Sequence, residues 1–319
     1  MTYLSVFIVL IFTILSYFKV SDRYNIIDKP NQRSSHMVRT IRGGGIIFPI
    51  AVIIWFVLSK FTYPLFFMGF LLISIISFLD DIYNLKQYQR FIGQLISVCF
   101  LLLQANFSIL PVWMWLVGFI FIIGWINAFN FMDGINGISV FYTGVNLIAY
   151  YWIPDLFEFQ QLMKFVGLAV LVFGFFNVRK KAITFLGDVG SITIAFILGY
   201  LMLVLMIETH RWEYILFFSV YGIDSVLTIA QRLMLRENIF LPHRRHFYQL
   251  LANEKLWPNL FVSALYAILQ GIINIVLIFI IIPQPHSSVI SISLLIILGL
   301  IYTILKYQTI CSLQQPIRS

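Results

Sequence analysis

Two short motifs place carboxylates where apolar segments begin or end. Asp80 and Asp81 are adjacent at the end of one apolar segment, and Asp188 opens another within Gly-Asp-x-Gly-Ser. Two carboxylates at a membrane edge repel each other unless a cation or a proton offsets the charge. Backbone N–H groups at a helix N-terminus flanked by glycines suit an anion or a phosphate-bound metal. The alternatives are a solvated helix end for Asp80 and Asp81 and a simple helix cap for Asp188.

A third motif combines amides with a further acid. Asn127, Asn130 and Asp133 are spaced by three residues, so they share roughly one face of a helix. Gly134 then allows the backbone to turn and to approach a ligand closely. An N-cap for the next helix would account for one of these polar residues but not for the others. The spacing therefore favours a functional role.

Basic residues supply the opposite charge. Residues 243–246 read His-Arg-Arg-His, and such a cluster can bind diphosphate through charge-assisted hydrogen bonds. The alternative is an anchor to anionic lipid. Arg42 precedes three glycines, which permit the close approach of either a ligand or another helix. Asp224 lies inside an apolar segment, where an acid is a candidate for function or a partner of a buried donor.

The composition shows which kind of protein must position these side chains. The chain has 319 residues, of which 61% are hydrophobic and 11% charged, and its mean hydropathy is +0.93. A soluble domain of this size cannot hide so much apolar surface. The numbers of Gly, Pro and Cys exclude collagen-like and disulfide-rich classes. The sequence therefore predicts a polytopic membrane protein.

The apolar runs are too long for the alternating strands of a barrel, so the prediction is an all-α fold in one transmembrane domain, residues 1–319. We predict about 11 transmembrane helices, at residues 2–19, 44–60, 63–79, 91–108, 110–127, 137–153, 163–178, 190–207, 212–231, 258–281 and 287–306. The first is interpreted as a retained span, with a cleaved signal peptide as the alternative.

The charges predict the orientation of these spans. If the loops alternate between the two sides, 18 of the 21 Lys and Arg residues fall on one side, which is therefore cytoplasmic. The N-terminus is then outside and the C-terminus inside. The four acids Asp80, Asp81, Asp133 and Asp188 all fall at this cytoplasmic side. We therefore expect distant loops to bring their carboxylates together there.

In combination, these motifs resemble the polyprenyl-phosphate N-acetylhexosamine-1-phosphate transferase superfamily, which includes phospho-MurNAc-pentapeptide translocases and GlcNAc-1-phosphate transferases. The matching elements occur in the family's order: Asp28-x-Pro-Asn with Arg42-Gly-Gly-Gly, Asp80-Asp81, Asn127-x-x-Asn130-x-x-Asp133-Gly134, Gly187-Asp188-x-Gly190-Ser191 and His243-Arg244-x-His246. Each motif is modest alone, but five in order are specific.

The resemblance implies a Mg2+-dependent reaction, with Mn2+ as a substitute, at the cytoplasmic face of the bacterial inner membrane. Undecaprenyl phosphate in the bilayer attacks a UDP-N-acetyl sugar, UMP leaves, and a lipid-linked surface polysaccharide such as an O-antigen is started. The resemblance allows a homodimer, and no nucleic acid is involved. A metal and cationic side chains would offset the charge of two approaching phosphates.

The resemblance also implies roles for individual residues. Asp188 matches the family's magnesium ligand, Asp81 lies beside metal and phosphate, and Asp80 matches the acid proposed to accept the proton of polyprenyl phosphate. The remaining candidates are Asp133, His243 and His246 as catalytic residues, and Asn127, Asn130, Asn136, Phe185, Arg42, Arg244 and Arg245 as substrate-binding residues, with Phe185 stacking on uracil.

Two departures from the family pattern limit this transfer. Asn136 stands where many members have a second Asp, which puts a nucleotide contact there in doubt. The His-Arg-Arg-His sequence replaces the run of consecutive His found in the translocase branch. It therefore favours the polysaccharide-initiating branch over a MurNAc-pentapeptide substrate. Because the stretch from Asn177 to Asp188 lacks a Pro-Ala often seen there, Asn177 is not assigned a role.

Two other functions compete with the transferase. A transporter or flippase of a lipid-linked sugar would agree with the number of spans and with Asp224. However, transporters concentrate polar groups near the middle of the bilayer, whereas the polar groups here cluster at span ends. A purely structural membrane scaffold would leave the loop carboxylates unexplained.

Overall fold

The structure is a computed structural model that describes residues 2–28, 40–239, 241 and 243–314. Pro30 and Asn31 of the Asp28-x-Pro-Asn motif lie outside the described residues. So does Pro242, which precedes the His-Arg-Arg-His sequence at residues 243–246, called the basic loop below. Two short antiparallel strands, β1 (Ile27–Asp28) and β2 (Thr40–Ile41), pair Ile27 with Ile41.

Helices make up nearly all of the rest. Their bounds are α1 Thr2–Tyr24, α2 Ile47–Leu58, α3 Pro64–Tyr83, α4 Gln87–Gln104, α5 Val112–Met132, α6 Ile138–Tyr151, α7 Gln160–Asn177, α8 Gly187–Thr209, α9 Ser219–Met234, α10 Phe247–Gln249, α11 Asn259–Val276 and α12 Ser287–Gln314. Short 3-10 turns precede α2, α7 and α9, and π-helical turns follow α10 and α11. The predicted all-α fold is therefore confirmed.

The predicted number of spans is not confirmed. Among the described residues, eight helices are long and apolar enough to cross a membrane, and the segments predicted at 44–60, 91–108 and 137–153 are not among them. They do form helices, but α2 and α6 are shorter than the roughly 20 residues that a bilayer requires. The first turn of α4 is polar, with Gln87, Gln89 and Arg90.

Helix α8 is the centre of the bundle. Every residue from Val189 to Leu205 is buried, because α3 and α5 pack against it along most of its length. By contrast, α12 lies at the periphery and exposes apolar side chains such as Ile296 and Leu300, as expected for a surface that faces lipid. A central helix with no polar face can only be stable when surrounded, so its N-terminus is fixed relative to the helices around it.

The ends of several helices meet at the N-terminus of α8. Because helices that follow each other in the chain, such as α3 and α4, α5 and α6, and α7 and α8, run in opposite directions, the C-terminal ends of α3, α5 and α7 and the N-terminal ends of α4 and α6 lie at this same end of the bundle. The loops that connect them carry the motifs identified in the sequence.

Candidate active site

Asp81 joins the end of α3 to the start of α8. Its side chain is fully buried, and its two oxygens accept hydrogen bonds from the backbone N–H groups of Asp188 (2.9 Å) and Val189 (3.0 Å). The first N–H groups of a helix have no partner within the helix, and a negative charge stabilises that end. Arg42 Nε donates to the same carboxylate over 2.7 Å. Asp81 is therefore committed to holding this junction.

Asp80 and Asp188 complete an acidic cluster, which we define as Asp80, Asp81 and Asp188. Arg90 Nη1 lies 3.1 Å from Asp80 Oδ2, and Arg90 Nη2 lies 3.9 Å from Asp188 Oδ2. Arg42 Nη2 lies 3.4 Å from Asp188 Oδ1. Three carboxylates and two guanidinium groups leave one formal negative charge, so the cluster can attract a cation.

The glycines after Arg42 serve packing against the start of α8. A Cβ on Gly45 would lie 2.3 Å from Gly190 Cα, and one on Gly44 would lie 2.4 Å from Thr184 Oγ1. Gly187 has a φ of +72°, and a Cβ there would come within 2.6 Å of Asp81 Oδ2. Of the two roles considered for the glycines, close packing is the one seen here.

The Asn-x-x-Asn-x-x-Asp motif ends α5 beside the acidic cluster. Ser191 Oγ, one turn after Asp188, donates to Asn130 Oδ1 over 3.1 Å. Ser139 Oγ donates to Asp133 Oδ1 over 2.6 Å. Burial raises the pKa of Asp133 to about 7 despite that hydrogen bond, and the negative charge of Asp188 adds to the increase. Asp133 can therefore exchange a proton near neutral pH.

Asn127 lies one turn further from the end of α5. Its amide donates to Gln94 Oε1 on α4 over 3.1 Å and to the carbonyl of Ile123. It borders a cavity of about 600 Å3, which we call the α4–α9 cavity. The lining combines polar and apolar side chains: Leu85, Gln87, Arg90, Phe91, Gln94, Asn127, Phe131, Ile229, Ile239, Leu241, His243, His246 and Gln249. Arg90 also contacts Asp80 and Asp188 of the acidic cluster, so the cavity and the cluster are adjacent.

Comparison with known proteins shows which families have similar sequences. Residues 63–206 match the model for glycosyl transferase family 4. A phospho-N-acetylmuramoyl-pentapeptide-transferase of Thermotoga petrophila is 29% identical over 207 residues, covering 59% of this chain and 67% of that protein. The protein of the same description from Thermotoga neapolitana is 26% identical over 257 residues, covering 73% and 82%. One from Streptococcus thermophilus is 33% identical over 129 residues, covering 39% and 35%.

Over residues 63–206 the chain is similar to glycosyl transferase family 4, and its relatives named above belong to the same superfamily of polyprenyl-phosphate hexosamine-1-phosphate transferases. The match runs from the start of α3 into α8 and includes Asp80, Asp81, Asp133 and Asp188. Arg42 and the basic loop lie outside the matched residues, yet Arg42 contacts the acidic cluster, and His243 and His246 line the adjacent cavity.

The basic loop, residues 243–246, divides into two parts. His243 and His246 line the α4–α9 cavity, whereas Arg245 forms an ion pair with Glu237 and lines a separate cavity of about 280 Å3. Arg244 is half-buried. The structure therefore brings the two histidines to the site and directs Arg245 elsewhere.

The His243 ring has a defined protonation pattern. Burial lowers its pKa to about 4, and the nearby positive charges of His246 and Arg232 act in the same direction. Its Nδ1 accepts a hydrogen bond from the backbone N–H of Arg245 over 3.2 Å. A neutral imidazole whose Nδ1 is an acceptor carries its proton on Nε2. His243 therefore offers an N–H donor from Nε2.

Two residues predicted to bind substrate, Asn136 and Phe185, form hydrogen bonds with the backbone of other segments of the protein. Asn136 is buried, and its amide donates to the carbonyl of Arg179 over 2.8 Å. Phe185 is half-buried, and its backbone pairs with Ile41 and Gly44 in the loop before α2. Both residues shape the segment before α8, and their contacts with a nucleotide remain predictions.

Sequence reasoning did not assign functional roles to Arg90 and Asn177. Arg90 was used only as one of the positive charges that predict the orientation in the membrane. The short turn between α3 and α4 brings it back beside Asp80. Asn177 accepts from the backbone N–H of Gly137 (2.8 Å) and donates to the carbonyl of Thr184 (3.0 Å). Its signal was weak because a single Asn at a helix end is common.

A hard cation prefers oxygen ligands, and the acidic cluster supplies carboxylate oxygens. Within the residues described, no three acidic, His or Cys side chains already form a metal-ligand set, since Arg42 and Arg90 lie between the carboxylates. Asp80 accepts the backbone N–H of Leu85 over 2.7 Å, and Asp81 accepts two backbone groups. The guanidinium contacts of Asp188 are longer, 3.4 Å to Arg42 and 3.9 Å to Arg90, so its oxygens are less tightly held than those of Asp81.

Proposed function

We propose that the chain transfers an N-acetylated sugar-1-phosphate from a UDP-sugar to undecaprenyl phosphate at the cytoplasmic face of a bacterial membrane. UMP is released, and the product starts a lipid-linked surface polysaccharide of the O-antigen kind. The convergence of Asp80, Asp81 and Asp188 with Arg42 and Arg90 beside a partly apolar cavity carries the proposal.

The site suits two chemically different substrates. A water-soluble sugar nucleotide and a membrane lipid can meet only near the membrane surface. The acidic cluster lies at helix ends, and the adjacent α4–α9 cavity offers apolar walls such as Phe91 and Ile229 with polar groups such as Arg90. Arg90 and Arg42 offset phosphate charge, while the fixed backbone around Asp81 holds the groups in position.

Mg2+ is the proposed cofactor, with Asp188 as its principal ligand. When bound, it would neutralise phosphate charge and orient the transferred phosphate. Asp81 remains the second proposed ligand, but the hydrogen bonds that its oxygens accept support a holding role for this residue. Asp80 and Asp133 are the candidates for moving a proton. Because the second pKa of a phosphate monoester is near 6, a strong base is unnecessary and positioning is enough.

The proposed donor is a UDP-N-acetyl sugar of the polysaccharide-initiating branch, such as UDP-GlcNAc. The His-Arg-Arg-His sequence supports this branch because it departs from the run of His of the translocases. The relatives described as phospho-N-acetylmuramoyl-pentapeptide-transferases favour UDP-MurNAc-pentapeptide as the second candidate. A panel of UDP-sugars that includes both donors separates them.

The decisive experiment measures UMP release from UDP-sugars by the purified protein with undecaprenyl phosphate and Mg2+. We expect wild type to release UMP and Asp188→Asn to lose at least about 100-fold in rate, as is typical when transition-state charge loses its partner. Asp155→Asn is the matched control, because Asp155 is exposed just beyond the C-terminal end of α6, whose N-terminal end is at the site. Equal rates for wild type and Asp188→Asn would contradict the metal assignment.

A flippase would move lipid-linked sugar without releasing UMP. Its support in the sequence was the number of spans together with Asp224, but the Asp224 carboxylate already accepts hydrogen bonds from Phe247, Tyr266 and Tyr302. Transport of a labelled lipid-linked sugar across vesicles without UMP formation would favour it over the transferase.

A further inference from the structure

Asp224 lies at the same end of the bundle as the active site. Its side chain is 1% exposed and accepts a hydrogen bond from the backbone N–H of Phe247 over 3.1 Å, at the start of α10. The next residue, Tyr248, donates its hydroxyl to the carbonyl of Phe131 over 2.8 Å, near the end of α5. The basic loop therefore folds back between α9 and α5, and Asp224 is the point to which it is attached.

The partners of Asp224 show that it acts as an acceptor. Tyr266 donates its hydroxyl to Oδ2 over 2.7 Å, and Tyr302 donates to Oδ1 over 2.9 Å. Lys306 Nζ supports this arrangement by donating to the hydroxyls of Thr228 (2.7 Å) and Tyr302 (3.1 Å). An ionised carboxylate accepts hydrogen bonds and donates none. The groups around Asp224 are therefore those expected for the ionised form.

His246 also contacts this carboxylate. Its Nδ1 lies 3.2 Å from Asp224 Oδ1, and because the carboxylate can only accept, Nδ1 must carry a proton. The ring is 2% exposed, and within the part of the chain that the structure describes its Nε2 has no hydrogen-bond partner. His246 lines the α4–α9 cavity together with Arg90 and His243. A buried ring nitrogen without a partner beside such a cavity indicates a partner supplied by a ligand.

We propose that Asp224 is a positioning residue for the transfer reaction: it accepts the Nδ1–H of His246, so that the ring can carry a second proton on Nε2 and donate it to a phosphate oxygen in the α4–α9 cavity. The inference rests on the proposed function. A phosphate oxygen accepts a hydrogen bond, so a protonated Nε2 would bind it, and the Asp224 carboxylate stabilises the resulting imidazolium. The phosphate belongs either to the UDP-sugar or to the polyprenyl phosphate.

The first test is a double-mutant cycle on UMP release. In Asp224→Asn the amide can donate to Nδ1, so the Nδ1 proton and the carboxylate that stabilises the imidazolium are both lost, and a neutral ring binds phosphate more weakly than a charged one. We expect Asp224→Asn and His246→Ala each to lower kcat/KM at least tenfold, and the double variant to be no worse than His246→Ala alone. Tyr302→Phe, which removes one other hydrogen bond to the same carboxylate, should lower it less than threefold. Multiplied losses in the double variant would overturn the proposal.

The second test separates positioning of Nε2 from simple anchoring of the loop. His246→Gln places an amide nitrogen near the position of Nε2, whereas His246→Asn places one near Nδ1, where it can still bind Asp224. The proposal expects Gln to retain at least fivefold more activity than Asn. The reverse order would mean that only the attachment to Asp224 matters, and it would overturn the proposal.

The source of the phosphate follows from the Michaelis constants of the variants. A KM that rises for the UDP-sugar alone identifies its diphosphate, and one that rises for undecaprenyl phosphate alone identifies the lipid. If the KM values for both substrates are unchanged and kcat is lowered, the contact is made with the phosphate that is being transferred. All three results support the proposal, whereas unchanged kcat and KM in His246→Ala overturn it.

A spectroscopic test does not depend on activity. With 15N-labelled histidine, the His246 signal, assigned by its loss in His246→Gln, should show a protonated Nδ1 in wild type and lose it in Asp224→Asn. If wild type released no UMP but showed this signal, the proposed function would fail while the Asp224–His246 pairing stood. A wild-type Nδ1 without a proton would overturn the pairing itself.

Discussion

Asp81 and Asp224 are two buried aspartates that do the same structural work in different surroundings. Each accepts backbone N–H groups at the start of another helix, α8 for Asp81 and α10 for Asp224. Each also pairs with a basic side chain, Arg42 or His246. In both places a carboxylate from one helix fixes the position of a functional segment that is distant in sequence.

The neighbours of the two aspartates differ. Asp81 is surrounded by charges, since Asp80, Asp188 and Arg42 all lie beside it. Asp224 is surrounded mainly by hydroxyl donors, including Tyr266 and Tyr302. A set of mixed charges can rearrange when a cation or a phosphate binds, whereas a shell made mainly of hydroxyl donors keeps its shape. We infer that the first region exchanges charge with substrates and that the second supplies fixed geometry.

The largest expected effect is that of Asp81→Asn, since it disturbs both charge and structure. In the less disruptive orientation the amide nitrogen replaces Oδ2 and faces the N–H of Val189, so one of the three hydrogen bonds becomes a repulsive contact and the charge that attracts Arg42 is lost. We expect UMP release to fall at least about 100-fold, because a small displacement of α8 moves Asp188. We expect the protein to lose about 2 kcal/mol of stability, less than for a fully buried pair, because Arg42 is one-third exposed.

Thermal unfolding in detergent and the UMP assay measure these two effects. Asp80→Asn is the matched control, because Asp80 accepts one backbone N–H group, from Leu85, and Arg90 beside it is partly exposed. It should destabilise the protein less than Asp81→Asn. If Asp80→Asn were the more destabilising variant, the holding role of Asp81 would be wrong.

Arg90→Gln tests the contribution of a positively charged side chain to the acidic region. Arg90 contacts Asp80 and Asp188 and lines the α4–α9 cavity, so its loss should lower kcat/KM by about 10- to 100-fold through misplaced groups. The stability should change by less than about 1 kcal/mol, because the guanidinium is one-third exposed. Lys181→Gln removes an exposed charge near the site and is the control. Equal activities of the two variants would exclude a role for Arg90.

The two regions also differ in how far the sequence predicted them. The acidic cluster was found because its members occur in short motifs at helix ends, and the alternation of loops predicted that these motifs meet. Asp224 was only a secondary candidate, because its partners Tyr266 and Tyr302 come from α11 and α12 without any motif. Tyrosines are common in apolar segments, so nothing in their spacing distinguishes a hydrogen-bond donor from a packing residue.

The fold shows the same limit. Hydropathy predicted an all-α membrane protein, but the predicted number of spans is not confirmed, because α2, α4 and α6 are apolar segments that are short or begin with polar turns. The central position of α8 depends on which helices surround it, and a uniformly apolar sequence carries no directional signal. Local patterns therefore predict elements and their ends, while the arrangement depends on contacts between distant residues.

Gly45→Ala tests whether the acidic region is as tightly built as its contacts imply. The added Cβ would lie 2.3 Å from the backbone of Gly190, so the start of α8 must shift. We expect a loss of about 1–3 kcal/mol in stability. Gly124→Ala is the control, because a Cβ there meets nothing within 4 Å. Thermal unfolding of the two variants should therefore differ, and equal melting temperatures would contradict the close packing.

The smallest effect concerns Asn136, for which a nucleotide contact and a structural role make opposite predictions. Its amide donates to the carbonyl of Arg179, so Asn136→Ala leaves that carbonyl without this donor and should cost about 1 kcal/mol of stability. If the role is structural, the KM for the UDP-sugar stays unchanged. Asn177→Ala, which breaks neighbouring contacts with Gly137 and Thr184, should behave in the same way. A KM that rises in Asn136→Ala but not in Asn177→Ala would restore the nucleotide contact that the sequence predicted.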